Sequence, residues 1–179
     1  MQNNIEKVLK NRLNNKQNKL FLCIGSSLCV GDSLGPRVGE ILSANINSKT
    51  VKIIGNNKLN INNQNISYIT KFVTKNFIDP YIVLIDSALA SRELLGKIIV
   101  NKNSMIIGRA IKNESLVKGD ISIKGVVAEK NDSRINNMRN LNNTSKDIVE
   151  KLSYEIAIQI LNSLQVEKNN IMGKFFIIK

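Results

Sequence analysis

Two aspartates carry the chemistry that this sequence offers. Asp32 lies in LFLCIGSSLCVGDSLGPRVGEIL (20–42), and Asp86 lies in IDPYIVLIDSALASR (78–92). Each follows a short apolar run of the kind that forms a buried strand. Leu20 to Ile24 lead into a Gly/Ser loop that holds Asp32, and Tyr81 to Ile85 end directly in Asp86. In open α/β sheets, ligands collect outside the carboxyl ends of the strands. Two acids at one such edge predict a two-carboxylate site. Like charges brought together raise one pKa, so one acid keeps its proton while the other stays ionised. That division suits activation of a water and protonation of a leaving amine, which is peptide hydrolysis. Such a pair titrates as a unit. Each acid also has a structural alternative. Asp32 is placed to cap a helix start, where acids are favoured. Asp86, next to a buried run, needs a partner or a task.

Other chemistries are narrowed by what the chain lacks. It has no histidine. Ser-His-Asp and Cys-His catalysis as usually built are therefore excluded, as are histidine-based zinc or nickel sites. Cys23 falls inside an apolar run and reads as a core residue. Cys29 shares the loop with Asp32, where a nearby acid disfavours a thiolate. The two cysteines make neither a CxxC pair nor a disulfide framework, so a reducing cytoplasm is expected. The segment Gly25 to Gly31 lacks GxGxxG spacing and the Gly-Lys-Ser/Thr end of a phosphate loop. No metal and no cofactor is expected. Asp120 follows Gly119 as a turn residue. Arg109, Lys112 and Lys118 read as solvated, and Arg92 and Glu93 as surface charges beside the Asp86 edge.

The elements that must position the two acids follow from periodicity. Ile5, Val8, Leu9 and Leu13 are spaced for a short amphipathic helix, an N-terminal appendage. Strands are predicted at 19–24, 51–54, 81–85, 97–100 and 120–127, with a bend near Gly125. A helix from Leu34 to Ala44 has Pro36 in its first turn and Val38, Ile41 and Leu42 as its buried stripe. Ile66, Ile69, Phe72 and Val73 mark a second helix, after an Asn-rich loop. Glu129 to Ser145 read as a polar loop. Thr144 or Ser145 then caps a long helix over about 145–164, with Ile148, Leu152, Ile156, Ile160 and Leu164 on its core face. Phe175 to Ile178 suggest a terminal strand. Strands alternating with helices predict an α/β three-layer sandwich with a mostly parallel central sheet. The 179 residues fit one domain, with a core over about 19–128.

The net charge of +12, from 26 Lys+Arg against 14 Asp+Glu, favours acidic partners. The basic residues are dispersed, aromatics are 4% and tryptophan is absent, which leaves little to stack on bases. Nucleic acid is thereby disfavoured, and an acidic protein substrate fits the charge as well. No apolar run approaches the ~20 residues of a membrane span, and the polar, basic N-terminus does not read as a secretory signal.

Three motifs in order carry a family resemblance. IGSSLCVGDSLGPRVGEIL resembles the first motif of the YyaC-type sporulation proteins, which are similar to the germination (spore) protease. IDSALASR resembles the second motif of that protease, and KGDISIKGVV resembles the Gly-Asp-Ile-Ser-Ile segment of the YyaC-type family. The likeness runs from about Lys19 to Val127. It implies the α/β fold of the hydrogenase maturation and spore proteases, and a peptidase whose motif acids are Asp32 and Asp86. It implies a cytoplasmic place in a sporulating cell or spore core, with small acid-soluble spore proteins as substrates by analogy. The nickel-contacting histidine of the hydrogenase maturation relatives has no counterpart, so nickel-guided cleavage is set aside. Ser104 to Ile111 keep only Gly108 of a Pro-Gly-rich loop that the family carries. That departure makes the competing expectation a binding or regulatory module that retains the fold without turnover.

Overall fold

The computed structural model describes residues 5–13, 18–102, 105–106 and 118–165. Seven strands occur among them: β1 (Lys19–Cys23), β2 (Val51–Ile54), β3 (Tyr81–Ala90), β4 (Ile98–Asn101), β5 (Met105–Ile106), β6 (Lys118–Gly119) and β7 (Ile121–Glu129). The central sheet has the order β2-β1-β3-β7-β4, and β5 pairs with β6 apart from it. Every pairing in the central sheet is parallel except that of β4 with β7. Five helices complete the described fold: α1 (Ile5–Leu13), α2 (Leu34–Asn45), α3 (Ile66–Asn76), α4 (Arg134–Asn142) and α5 (Lys146–Ser163).

The stretches Leu20–Cys23 and Tyr81–Ile85 are apolar without interruption because both of their faces are covered, as parallel sheets require. Phe21, Cys23, Val83, Ile85, Ile121 and Ile123 pack on one side with α1, α2 and α5. Leu20, Leu22, Ile82 and Leu84 pack on the other with Val73 of α3. The expected three-layer α/β architecture is the one observed. Ser145 caps α5 by accepting the Asp147 N–H at 3.2 Å. The expected bend near Gly125 is a register shift, in which Ala88 pairs with Val126 and Leu89 with Ala128.

Three expectations need correction. α1 is no appendage: Ile5, Leu9 and Leu13 are buried in the main core, where α1 packs on α5. A nine-residue helix is marginal alone, and burial of its stripe is what holds it. The stretch expected as a polar loop contains α4. Its stability comes from side-chain bonds to backbone and not from an apolar stripe. Ser133 accepts the Asn136 N–H, Asn137 bonds both the N–H and the carbonyl of Asn131, and Asn140 donates to the Glu129 carbonyl. Strand β3 does not stop at Ile85 but continues through Asp86 to Ala90. The expected strand at 175–178, and Ser104, Gly108, Arg109, Ile111 and Lys112, lie outside the described residues.

The order of the strands creates the site. The chain leaves β1 through α2 to β2 on one flank, then crosses through α3 to β3 on the other. The crevice between the carboxyl ends of β1 and β3 is therefore a topological switch point, where open sheets bind ligands.

Candidate active site

Asp32 is placed by a tight reversal after β1. Gly25 has φ +137°, and a Cβ there would overlap the Asp32 carbonyl, so only glycine fits this approach. The Ser26 N–H meets the Asp32 carbonyl at 3.2 Å, and the Asp32 N–H donates to the Cys29 carbonyl at 3.1 Å. A short 3-10 turn, Gly31–Ser33, then feeds directly into α2. Asp32 caps neither element. The N-cap positions are Val30 and Ser33, and neither makes a side-chain cap bond. The half-buried carboxylate instead accepts the Ser26 N–H and the Ser87 hydroxyl. Burial raises its pKa above the usual carboxylate value, and these two hydrogen bonds oppose the rise without cancelling it.

Asp86 sits inside the ladder and not beyond it. Its neighbour across the β3–β7 pairing is Lys124, and Ser87 lies opposite Gly125. The Ser87 N–H donates to Asp86 Oδ1 at 2.8 Å. Burial pushes the Asp86 carboxyl up, the like charge of Asp32 adds to this, and Lys124 and the Ser87 N–H oppose it. The result is a pKa of about 7. Ser87 thus joins the two acids, its N–H on Asp86 and its hydroxyl on Asp32. The pair combines a carboxyl that keeps a proton near neutrality with one whose upward shift is opposed by two donors.

The residues that complete this arrangement are Ser26, Ser87 and Lys124, none of which stands out in the sequence as a site residue. Lys124 did leave a signal, as a lone cation within the apolar run Ile121 to Ala128. The serines leave none, because their role depends on a contact between β3 and the 3-10 turn. Other expected residues lie elsewhere. Arg92 and Glu93 are exposed on a 3-10 turn after β3. Asp120 Oδ2 accepts the Ile82 N–H at 2.8 Å, near the start of β3 and away from the acids. Cys23 is buried, and desolvation raises its thiol pKa far above the usual range. Cys29 is half-buried and contributes its carbonyl to the loop.

Two carboxylates beside a lysine ammonium do not make a nickel or zinc donor set, and the chain supplies no histidine to complete one. Among the described residues no group of three or more potential metal ligands converges. A cavity of about 420 Å³ lies at the opposite end of the sheet, under the N-terminal ends of β1 and β2, and no carboxylate lines it. Among the described residues no helix is long and apolar enough to cross a membrane.

Comparison with known proteins places this geometry in a fold. The [NiFe] hydrogenase maturation protease HycI of Thermococcus kodakarensis superposes with a TM-score of 0.56 at 16% identity, over 88% of this chain and 99% of that one. The hydrogenase 2 maturation peptidase of a Thaumarchaeota archaeon superposes with a TM-score of 0.50 at 16% identity, over 84% and 99%. At these identities the likeness establishes the hydrogenase maturation protease fold. No curated protein matches by sequence. The family described as "Protein of unknown function (DUF1256)" matches residues 1–159.

Proposed function

We propose that this chain, which belongs to the DUF1256 family, hydrolyses peptide bonds with Asp32 and Asp86 as its acid–base pair. One observation carries the reading: Asp86, raised to about 7, faces the charge of Asp32 and is joined to it through Ser87. Asp32, steadied by the Ser26 and Ser87 donors, is the base. It takes a proton from a water, whose oxygen attacks the scissile carbonyl carbon. Asp86 is the acid and gives its proton to the leaving nitrogen as the C–N bond breaks. Proton exchange with solvent then restores the pair. The Lys124 ammonium, beside Asp86 on β7, offsets negative charge on the tetrahedral oxygen.

The fold shared with hydrogenase maturation proteases supports this chemistry. The resemblance to the YyaC-type and germination proteases supports a place in the cytoplasm of a sporulating cell or spore core. Acidic proteins, such as small acid-soluble spore proteins, suit a chain of net charge +12. The test incubates purified protein with small acid-soluble spore proteins and follows fragments by mass spectrometry. Fragments are expected, with and without EDTA and after thiol alkylation. Salt-sensitive binding with no fragments would instead identify a regulatory module that keeps the fold without turnover.

A further inference from the structure

Among the described residues the carboxyl half of β3 has no strand on its β1 side, and the two acids stand beside that edge. The last pair between β1 and β3 is Cys23 with Ile85, after which Asp86 to Ala90 pair only with β7. The direction of the backbone groups shows which residues face the gap. The Ile85 carbonyl accepts the Ile24 N–H at 2.7 Å on the β1 side. The Ile82 and Ala90 carbonyls accept from Asp120 and Lys130, each at 2.8 Å, on the β7 side. Backbone groups alternate along a strand, so Ser87 and Leu89 present theirs to the space that β1 has vacated. The Ser87 N–H is held by Asp86. Among the described residues the Ser87 carbonyl and the Leu89 N–H and carbonyl have no partner on that side. β1 does not refill this space, because Gly25 turns the chain toward Ile61, whose carbonyl accepts the Gly25 N–H at 2.8 Å.

The geometry points to an extended segment of an acidic partner protein that adds as a strand along Ser87 to Leu89. An unpaired edge is a ready template for strand addition, in which main-chain bonds bind and alternate side chains select. Such a segment brings its amide backbone close to Asp86, the first residue of that edge. This rests on the peptidase reading for its purpose but not for its geometry. Leu28, 96% exposed on the loop that carries Asp32, offers an apolar contact. The net charge of +12 favours acidic residues in the segment. The occupant this edge fits is an extended segment, such as an unstructured tail or loop, whose own backbone groups are free to pair.

The probe is a random decapeptide library displayed on phage and selected against the full chain. The tightest peptide is synthesised, and its affinity is measured by fluorescence anisotropy. Hydrogen exchange should slow at Leu89 on binding. N-methylation of alternate peptide amides should weaken binding about tenfold or more, and methylation of the intervening ones should not. Leu89→Pro removes an N–H that points away from β7, so it should lower affinity similarly. The methylation series stands even where that variant fails to fold. Failure to select any peptide, a uniform methylation effect, or protection confined to other segments would overturn strand addition. So would a dimer in sedimentation that already protects Leu89 without peptide, since a second copy would then fill the edge. Cleavage that proceeds equally in Leu89→Pro sinks this inference and leaves the peptidase standing. Alternating binding without cleavage does the reverse.

Discussion

The two halves of β3 differ in kind. Tyr81 to Ile85 are buried, paired on both sides by β1 and β7, and packed between two helical layers. Asp86 to Ala90 are half-buried, paired on one side, and polar at their start. The first half stabilises the fold by burial, at roughly 1.5–3 kcal/mol per large aliphatic side chain. The second half carries a desolvated carboxyl near a like charge, which opposes stability at neutral pH. One strand thus divides into a stabilising part and a part that the rest of the fold must hold in place.

The largest effect should come from the first half. Ile85→Ala should cost about 2–5 kcal/mol in urea unfolding, through lost burial and a cavity, while the folded fraction keeps its activity. A negligible cost would erase the distinction between the halves. One residue further on, Asp86→Asn should lower peptidase turnover about a hundredfold or more. Its stability at pH 8 should match or exceed that of the parent protein. Marked destabilisation with unchanged turnover would make Asp86 a structural residue.

The pH dependence sharpens the comparison. Asp86 has a folded pKa of about 7 against the ordinary aspartate value of 3.8, so the folded state holds its proton to higher pH than the unfolded one. Its contribution to stability is therefore fully present below the unfolded pKa, declines as pH rises through the interval, and is lost above about 7. Asp86→Asn should flatten that part of the stability profile. Activity should fall above about pH 7 as the acid loses its proton, and a rate still rising past pH 8 would reverse the assigned roles. The smallest effect concerns Lys124, which holds the Asp86 pKa down. Lys124→Met should move the alkaline limb of the pH–rate profile upward, by about one unit or less. A downward shift would show that Lys124 does not act on Asp86.

Much of the fold is legible in the sequence, because burial imposes period and punctuation. The run Tyr81 to Ile85, the stripe of α2 and the Ser145 cap are each written in adjacent residues. α4 was not legible: its bonds use Asn137 and Asn140, residues that ordinarily signal turns. The continuation of β3 through Asp86 was hidden for a related reason. A carboxylate after an apolar run reads as a strand end, and only pairing with β7 carries the strand on.

The sequence by itself determined the kinds of chemistry open to this protein. Without histidine, hydrolytic chemistry is left to carboxylates, lysine, Ser/Thr or cysteine, and Asp32 and Asp86, each set behind a buried run, single out the carboxylates. Their environment was decided by tertiary structure alone. Which strands are neighbours depends on the crossover from β2 to β3, a global property of the chain path. That path sets Ser87 between the acids, puts Lys124 beside Asp86 and ends β1 before β3. Electrostatic energies fall off with distance and depend on burial, and neither quantity exists along the sequence until the chain has folded.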